Sequence, residues 1–379
     1  MTGHSTGHST PWIERALPHP SPSKPMALPP TRQQRSLLER MPKWLICVPL
    51  AVQWLWLSLV YRSTTVASCA NPAITSGGLV GEGKLEYFEA MGPLAKAATA
   101  TSCGVTANPT LTAGDVQAAM SRAGLGFPVM VKPNLGLCGY GVRREADLAG
   151  LLRYLRAFPA GEVVVLQQYL PQDGEAGVFY ARDPGVETGR IIGLALRYYP
   201  SVTGDGKRSL AQLVAQDARA RRLHQTVRHQ AAYNPQSVPA AGEVVRLATI
   251  GSTRVGGLYR NGAAFITPAL TDAIDAIAQD MADFHFGRFD IRFDSLQQLG
   301  AGQGFCIMEV NGAGSEAIEA WDPDISLLTG LKMIFAKQRV LFHIGHAMRL
   351  RGHPPISLSD LNALNQRQQR LIARYPPSN

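Results

Sequence analysis

Apolar residues recur along the middle of the chain with the two spacings that distinguish strands from helices. Short apolar runs and alternating stretches predict strands at residues 127–132, 163–170, 178–182, 191–199, 289–293 and 305–310. Apolar positions three or four residues apart predict helices at residues 85–98, 111–123, 145–158, 209–230, 268–286 and 325–351. This mixture indicates an α+β fold, with mostly antiparallel sheet and helices packed on one face.

The most apolar stretch, residues 44–61, has about the length that a membrane-spanning helix needs. Lys43 and Arg62 bracket it, while Pro49 and Gln53 interrupt it. Three interpretations stay open for this segment. It is a membrane span, a helix lying on a membrane surface, or a buried strand followed by an apolar helix.

Composition divides the chain into four regions. Residues 1–35 are rich in Ser, Thr, Pro and His, which predicts a disordered arm because such a segment buries too little apolar surface. Residues 36–110 form an N-terminal region that contains the apolar segment at 44–61. The alternating strands and helices occupy residues 111–345. Residues 346–379 form a C-terminal tail without recognisable chemistry.

The net charge of +9 suits a polyphosphate nucleotide, a membrane surface or a nucleic acid as partner. No basic stripe with interleaved aromatic residues is present, so we expect no nucleic-acid partner. The five cysteines lack CxxC spacing, which excludes a zinc ribbon and a disulfide-dense secreted domain. We therefore expect a reducing, cytoplasmic location, with membrane association through residues 44–61 as the alternative.

The first candidate site is the segment VKPNLGLCGYGV, residues 131–142. A predicted strand ends in Lys132, and a loop with Gly136, Gly139 and Gly141 follows. Glycines let backbone N–H groups approach phosphate oxygens, and the lysine adds a compact positive charge. The segment lacks the GK[ST] ending of a Walker A loop and the GxGxxG dinucleotide pattern. Taken alone, it is either a phosphate-binding loop or a glycine-rich hairpin turn.

The second candidate site combines GRFDIRFD with FCIMEVNGAGSEA. Alternation along the first strand places Arg288 and Asp290 on one face, and along the second it places Glu309 and Asn311 together. If the two strands are neighbours, two carboxylates and an amide oxygen come together, and these are the hard ligands that Mg²⁺ prefers. The alternative is an edge strand with a solvated polar face.

These two motifs, in this order, resemble the ATP-grasp superfamily and within it the D-alanine–D-alanine ligase-like branch of carboxylate-amine ligases. FPVMVKPNLGLCGYGV resembles the family's lysine strand and glycine loop, and GRFDIRF followed by MEVNGAG resembles its R-x-D and E-x-N strands. The resemblance covers residues 111–331. It implies an ATP-grasp fold in which two α+β subdomains, residues 111–200 and 201–345, grip ATP.

The resemblance also implies roles for the nucleotide-binding residues. Lys132 and the backbone of the loop at Gly136, Gly139 and Gly141 would contact the phosphates of ATP. The adenine would lie against the hinge formed by Gln167, Gln168, Tyr169 and Leu170. The family often has an acidic residue in this hinge, where this chain has glutamines. Glu175 would contact the ribose.

The remaining roles concern phosphoryl transfer. Arg197 stands where the family usually has a second phosphate-binding lysine, and the two are not equivalent. Arg288 would stabilise the tetrahedral transition state. Asp290, Glu309 and Asn311 would hold Mg²⁺ or Mn²⁺.

The function implied is an ATP- and Mg²⁺-dependent ligase that activates a carboxylate as an acyl phosphate and joins it to an amine. Its partners would be small-molecule carboxylates and amines, and the resemblance leaves a homodimer open. Two alternatives remain: an ATP-dependent phosphotransferase, and a membrane-associated nucleotide-binding protein without ligase turnover. The sequence identifies neither substrate.

Overall fold

The computed structural model describes residues 37–223, 234–248 and 251–378. The predicted disordered arm at 1–35 and the end of the helix predicted at 209–230 lie outside these ranges. The helices are α1 (Leu37–Arg40), α2 (Lys43–Val60), α3 (Lys84–Ala90), α4 (Pro93–Ala97), α5 (Ala113–Arg122), α6 (Leu148–Ala157), α7 (Leu210–Gln216), α8 (Pro268–Gln279), α9 (Leu296–Gly300), α10 (Leu327–Leu350) and α11 (Leu358–Ile372).

The strands form two larger sheets and one small one. They are β1 (Ser102–Thr106), β2 (Val129–Pro133), β3 (Arg143–Glu145), β4 (Val163–Gln168), β5 (Gly174–Ala181), β6 (Arg190–Tyr198), β7 (Ser201–Thr203), β8 (Val244–Arg246), β9 (Leu258–Asn261), β10 (Phe286–Phe293) and β11 (Phe305–Asn311). The strand orders are β1-β4-β2-β3, β11-β10-β5-β6-β9 and β7-β8. Every pair of neighbouring named strands is antiparallel, which confirms the predicted α+β class.

The four-stranded sheet packs against α5 and α6. Val116 and Met120 of α5 and Leu151 and Leu155 of α6 are buried against its strands. Helix α5 begins where expected because Thr112 accepts a hydrogen bond from the amide of the third helical residue. The sheet includes β1 (Ser102–Thr106), so it begins before residue 111, where the sequence predicted the start of the alternating strands and helices.

The five-stranded sheet contains β5 and β10, which are buried along their whole length. Its core includes Leu270, Ile274 and Ile277 of α8. β10 is buried on both faces although its residues alternate, because charged side chains on one face pair with each other, as Arg288 does with Asp290.

Three predicted helices are wrong in extent. The helix predicted at 209–230 ends at Gln216, because Asp217 adopts an extended backbone conformation. The helix predicted at 268–286 ends at Gln279, because residues 280–282 pair with residues 90–92 and Phe286 already begins β10. The apolar residues between Gln279 and Phe286 keep a helical spacing, so the sequence pattern did not reveal the break. The helix predicted at 85–98 is two helices, because Gly92 interrupts it and Pro93 starts the second one.

The apolar segment at 44–61 is helical throughout, so its interpretation as a strand is wrong. Helix α2 packs along α10: Gln53 Nε2 donates to the carbonyl of Phe335 at 2.8 Å, and the ring of Trp54 meets that of Phe342 edge-on. Within the described ranges, none of the helices combines the length and the apolar character that crossing a bilayer requires.

Candidate nucleotide and metal site

A narrow cleft lies between the two larger sheets. Lys132 and Gln167 line it from the four-stranded sheet, and Glu309 lines it from the five-stranded sheet. Lys84, at the start of α3, closes one side. The side chains leave no space for even a water molecule between them, whereas ligand pockets typically measure about 300–1,000 Å³. The cleft is therefore closed in this conformation, and a nucleotide enters only if side chains or the sheets move apart.

Lys132 reaches across the cleft from the end of β2. Its Nζ donates to Gln167 Oε1 at 2.6 Å, because β2 and β4 are adjacent, and to the carbonyl of Met308 at 3.2 Å. Burial lowers the pKa of Lys132 to about 8, although the carboxylate of Glu309 favours the charged form. The buried Nε2 of Gln167 has no hydrogen-bond partner among the described residues, so it is a free donor at the cleft.

The glycine loop, residues 134–141, follows β2 directly. Gly139 and Gly141 have φ values of 73° and 71°, a region that other residues rarely adopt. The loop's main-chain carbonyls accept hydrogen bonds from the end of the chain. Tyr375 donates to Leu135, Gln368 donates to Gly136, and Ser378 donates to Gly139.

These contacts orient the loop's amide groups. In a trans peptide the C=O and the following N–H point in opposite directions. The carbonyls of Leu135 and Gly136 point toward the C-terminal segment, so the N–H groups of Gly136 and Leu137 point away from it. Backbone N–H groups exposed in this way can receive phosphate oxygens.

The acidic part of the site lies on β10 and β11, which are neighbours. Asp290 stands directly opposite Glu309 in the strand register, and Arg288 stands opposite Asn311. Asn311 Nδ2 donates to Asp290 Oδ2 at 3.2 Å. The structure therefore brings the predicted metal-ligating residues together on one part of the sheet.

In this structure two arginines neutralise the carboxylate of Asp290. Arg288 Nε lies 2.6 Å from Oδ1 of this carboxylate, and its Nη2 lies 3.1 Å from Oδ2. Arg197 Nη2 lies 3.2 Å from the same Oδ2. A third hydrogen bond, from Arg288 Nη1 to the carbonyl of Glu316, fixes the guanidinium toward the loop that follows β11.

Glu175, the predicted ribose contact, is buried among positive charges. Arg197 Nη1 donates to its Oε1 at 3.0 Å, Tyr199 donates to its Oε2, and Arg292 lies 3.5 Å away. Burial raises the pKa of this carboxyl, but the charges of Arg292 and Arg197 outweigh burial and keep it below its usual value. Contact with a ribose therefore requires at least one of these pairs to open.

The predicted adenine hinge follows β4. The main-chain N–H of Gln168 donates to the carbonyl of Thr101 at 2.8 Å. The ring of Tyr169 lies beneath the guanidinium of Arg144, and Leu170 is buried. The segment is thus held by the sheet on one side and by an arginine on the other.

Sequence reasoning missed Lys84, which lines the cleft, and Glu82, which lies near it. Lys84 Nζ lies 3.2 Å from Glu309 Oε1, and it occupies the space beside Gly136 that a side chain there would fill. Glu82 lies nearby, and burial raises its pKa to about 7. The GEGK stretch was the available signal, but it indicated only a loop. The pairing with Glu309 depends on a contact between residues far apart in sequence.

The donor set fits a hard cation such as Mg²⁺. It comprises the carboxylates of Asp290 and Glu309 and the amide oxygen of Asn311, whose Nδ2 donates to Asp290. Burial raises the pKa of Glu309, but Lys84, Lys132 and Arg288 outweigh burial and hold it below its ordinary range, so this ligand is ionised. No group of three His, Cys, Asp or Glu side chains in the described ranges is arranged to hold a metal.

Comparison with known proteins returns solved structures only. No family model matches the sequence, and no curated protein does. A bifunctional glutathione synthetase from Pasteurella multocida is 17% identical, with a TM-score of 0.36, over 66% of this chain and 34% of its own. A D-Ala:D-Ser ligase from Enterococcus faecalis is 14% identical, with a TM-score of 0.37, over 70% of this chain and 64% of its own.

A D-cycloserine synthetase is 13% identical, with a TM-score of 0.37, over 69% of this chain and 70% of its own. The chain spans less than two thirds of the first solved structures that it matches. Sequence identities and TM-scores this low carry no argument about function, which therefore has to be inferred from the residues of the cleft. Lys132 on one sheet faces Glu309 on the other across this cleft.

Proposed function

We propose that this chain is an ATP- and Mg²⁺-dependent carboxylate–amine ligase of the ATP-grasp type. One observation carries the proposal. A buried lysine beside an unpartnered amide donor, Lys132 with Gln167, faces Glu309 across one cleft. Asp290 stands opposite Glu309 in the strand register. A triphosphate with its metal needs positive charge and donors on one side and hard oxygen ligands on the other.

Each group has a distinct part in nucleotide binding. Lys132 and Lys84 supply positive charge to the phosphates, and the amides of Gly136 and Leu137 cover them. Mg²⁺, held by Asp290, Glu309 and Asn311, would neutralise charge on the transferring phosphoryl group. If Asp290 held Mg²⁺, Arg197 and Arg288 would no longer pair with it and would be able to bind anionic oxygens of the substrates.

Arg288 is suited to the amide-forming step. Its guanidinium is buried, and the hydrogen bond to the Glu316 carbonyl would keep it oriented after its two bonds to Asp290 are released. A donor that is already oriented costs no reorganisation when negative charge develops on an oxyanion. A cleft that closes again over the bound substrates would exclude water and so protect an acyl phosphate from hydrolysis. The substrates in this proposal are a small-molecule carboxylate and an amine, and the protein acts in the cytoplasm.

Titration calorimetry with a non-hydrolysable ATP analogue, with and without Mg²⁺, tests the nucleotide and metal site. We expect Mg²⁺ to strengthen binding to the wild type, and Glu309→Gln to remove that strengthening. Glu89→Gln is the matched control, because Glu89 is exposed on α3. Equal binding with and without Mg²⁺ in the wild type would contradict the metal site.

A product assay tests the reaction class. Incubation with ATP and pools of carboxylates and amines should release ADP and phosphate and form an amide. A stable phosphoester as the product would instead identify a phosphotransferase. Nucleotide binding without any turnover across the pools would favour the binding protein without ligase activity.

A further inference from the structure

Helix α2 exposes a broad apolar face. Trp44, Val52, Trp56 and Leu59 are 62–75% exposed, although they are large hydrophobic side chains. They recur at helical spacing along the whole helix, so they form one continuous surface rather than scattered exceptions. Monomeric soluble proteins rarely expose a contiguous apolar surface of this kind unless something binds it.

The opposite face of α2 is already used by the fold. Ile46 and Leu57 are buried, and Trp54 meets Phe342 of α10 with ring centroids 4.7 Å apart. Because α2 is apolar on both sides, packing against α10 covers only half of it. The other half requires a second apolar environment.

The charges around this face distinguish between the candidate environments. The sequence has no Asp or Glu from residue 40 to residue 81, and α10 has none either. Exposed basic residues flank the helix: Arg40 and Arg62 lie at its two ends, and α10 exposes Lys332 and Arg339. A second copy of the chain, docked face to face, would bring these cations together without carboxylates to pair them. An anionic lipid surface pairs with all of them.

We propose that α2 lies flat on an anionic lipid surface, with its exposed apolar face at the level of the headgroups. Trp44 and Trp56, one near each end of the exposed face, enter the interface, which is the part of a bilayer that tryptophan prefers. Arg40, Arg62, Lys332 and Arg339 contact the anionic headgroups. Helix α10 lies behind α2, so the contact holds the rest of the chain at the membrane surface.

Co-sedimentation of the full chain with vesicles tests this surface. One set of vesicles contains phosphatidylcholine with phosphatidylglycerol, and the other contains phosphatidylcholine alone. We expect binding to the anionic vesicles, with a blue shift of tryptophan emission. Binding should weaken in 0.5 M salt, because the Debye length then shrinks to about 3–5 Å. The neutral vesicles should bind more weakly.

The test variant is Trp56→Ser combined with Leu59→Ser, and the matched control is Leu358→Ser. Leu358 is 63% exposed on α11, so its replacement changes surface hydrophobicity elsewhere. We expect the double variant to lose vesicle affinity by at least about tenfold, since each buried side chain contributes more than that factor. The control should bind as the wild type does. Thermal unfolding and ATP-analogue titration of the double variant should be unchanged, which separates this proposal from the ligase proposal.

Three outcomes would overturn the proposal. The wild type fails to bind anionic vesicles, or the double variant binds them as well as the wild type does. The third outcome is that sedimentation without lipid shows a dimer of the wild type and a monomer of the double variant, which would mean that a second copy covers the face.

Discussion

The hydroxyl of Tyr375 donates a hydrogen bond to the main-chain carbonyl of Leu135, at 2.7 Å. Its ring stacks on Phe158 with an interplanar angle of 8°. A residue near the end of the chain is thereby anchored in the core of the four-stranded sheet and holds the glycine loop. Gln368 and Ser378 add two further contacts to the same loop. The C-terminal segment, in which the sequence showed no chemistry, thus supports the loop proposed to cover the phosphates.

Replacing Tyr375 with phenylalanine should weaken nucleotide binding. The change removes the bond to Leu135 and keeps the stacked ring, so the loop is held less firmly while the core stays packed. One such hydrogen bond contributes about 0.5–1.5 kcal/mol, which corresponds to roughly a two- to tenfold rise in the Kd for an ATP analogue. Titration calorimetry measures it, and Tyr61→Phe, on the α2–α10 side of the molecule, is the control. An unchanged Kd for the Tyr375 variant would show that the loop is held without this bond.

Replacing Lys84 with alanine should lower the affinity for an ATP analogue by about tenfold or more. Lys84 lies 3.2 Å from Glu309 and beside Gly136, so it contributes positive charge where the phosphates are proposed to bind. Hydrogen bonds to charged groups contribute about 1.5–3 kcal/mol. Lys96→Ala, an exposed lysine of α4, provides the comparison. If both variants bind equally well, Lys84 serves only to pair with Glu309.

Nucleotide affinity should depend on pH through Lys132. Burial lowers the pKa of its amine to about 8, so in the free protein the amine loses its charge as the pH rises through 8. Phosphates bind the charged form and raise that pKa in the complex. The affinity for the nucleotide should therefore be highest below about pH 8 and should decline as the pH rises from there toward the ordinary lysine pKa of about 10.4. Titrations between about pH 6.5 and 9.5 test this, with points below and above that pKa of about 8.

The control for this profile is Lys132→Arg. A guanidinium stays charged over the whole range, so the decline should disappear in the variant even if its overall affinity is lower. A wild-type profile that stays flat would mean that Lys132 does not contact the phosphates. A decline of equal size in both proteins would assign the titration to another group.

Replacing Asn71 with alanine should destabilise the fold strongly. The side chain is fully buried, and its Nδ2 donates to the carbonyls of Gly77 and Phe286, while its Oδ1 accepts from the amides of His285 and Phe286. Each buried group left unsatisfied costs about 1–3 kcal/mol, so the free energy of unfolding should fall by at least about 3 kcal/mol. Urea denaturation measures the change.

Asn108→Ala is the matched control for this measurement. Asn108 is exposed, and its Oδ1 accepts from the amide of Thr110. Its replacement should change the free energy of unfolding by about 0.5 kcal/mol or less. Equal losses in the two variants would mean that the amide of Asn71 adds nothing to the connection between the N-terminal segment and β10.

The local pattern of the sequence determined much of the secondary structure. The strands predicted at 289–293 and 305–310 lie within β10 and β11, because alternating and apolar runs depend on few distant contacts. Helix α5 was predicted closely because its cap lies within its own sequence. Period-two alternation also placed Asp290 and Glu309 on matching faces of their strands, and the strand register sets them opposite each other.

Only the tertiary structure decided how the cleft is completed. Lys84 reaches Glu309, and Tyr375 reaches Leu135, across 225 and 240 residues of chain respectively, and no periodicity in the sequence encodes such contacts. Helix α8 ends early because residues 280–282 pair with the distant residues 90–92, although the apolar spacing continues past the helix end. Local propensity acts over a few residues, whereas a side chain's partners depend on how the whole chain packs. The sequence could therefore predict the motifs, but not their neighbours.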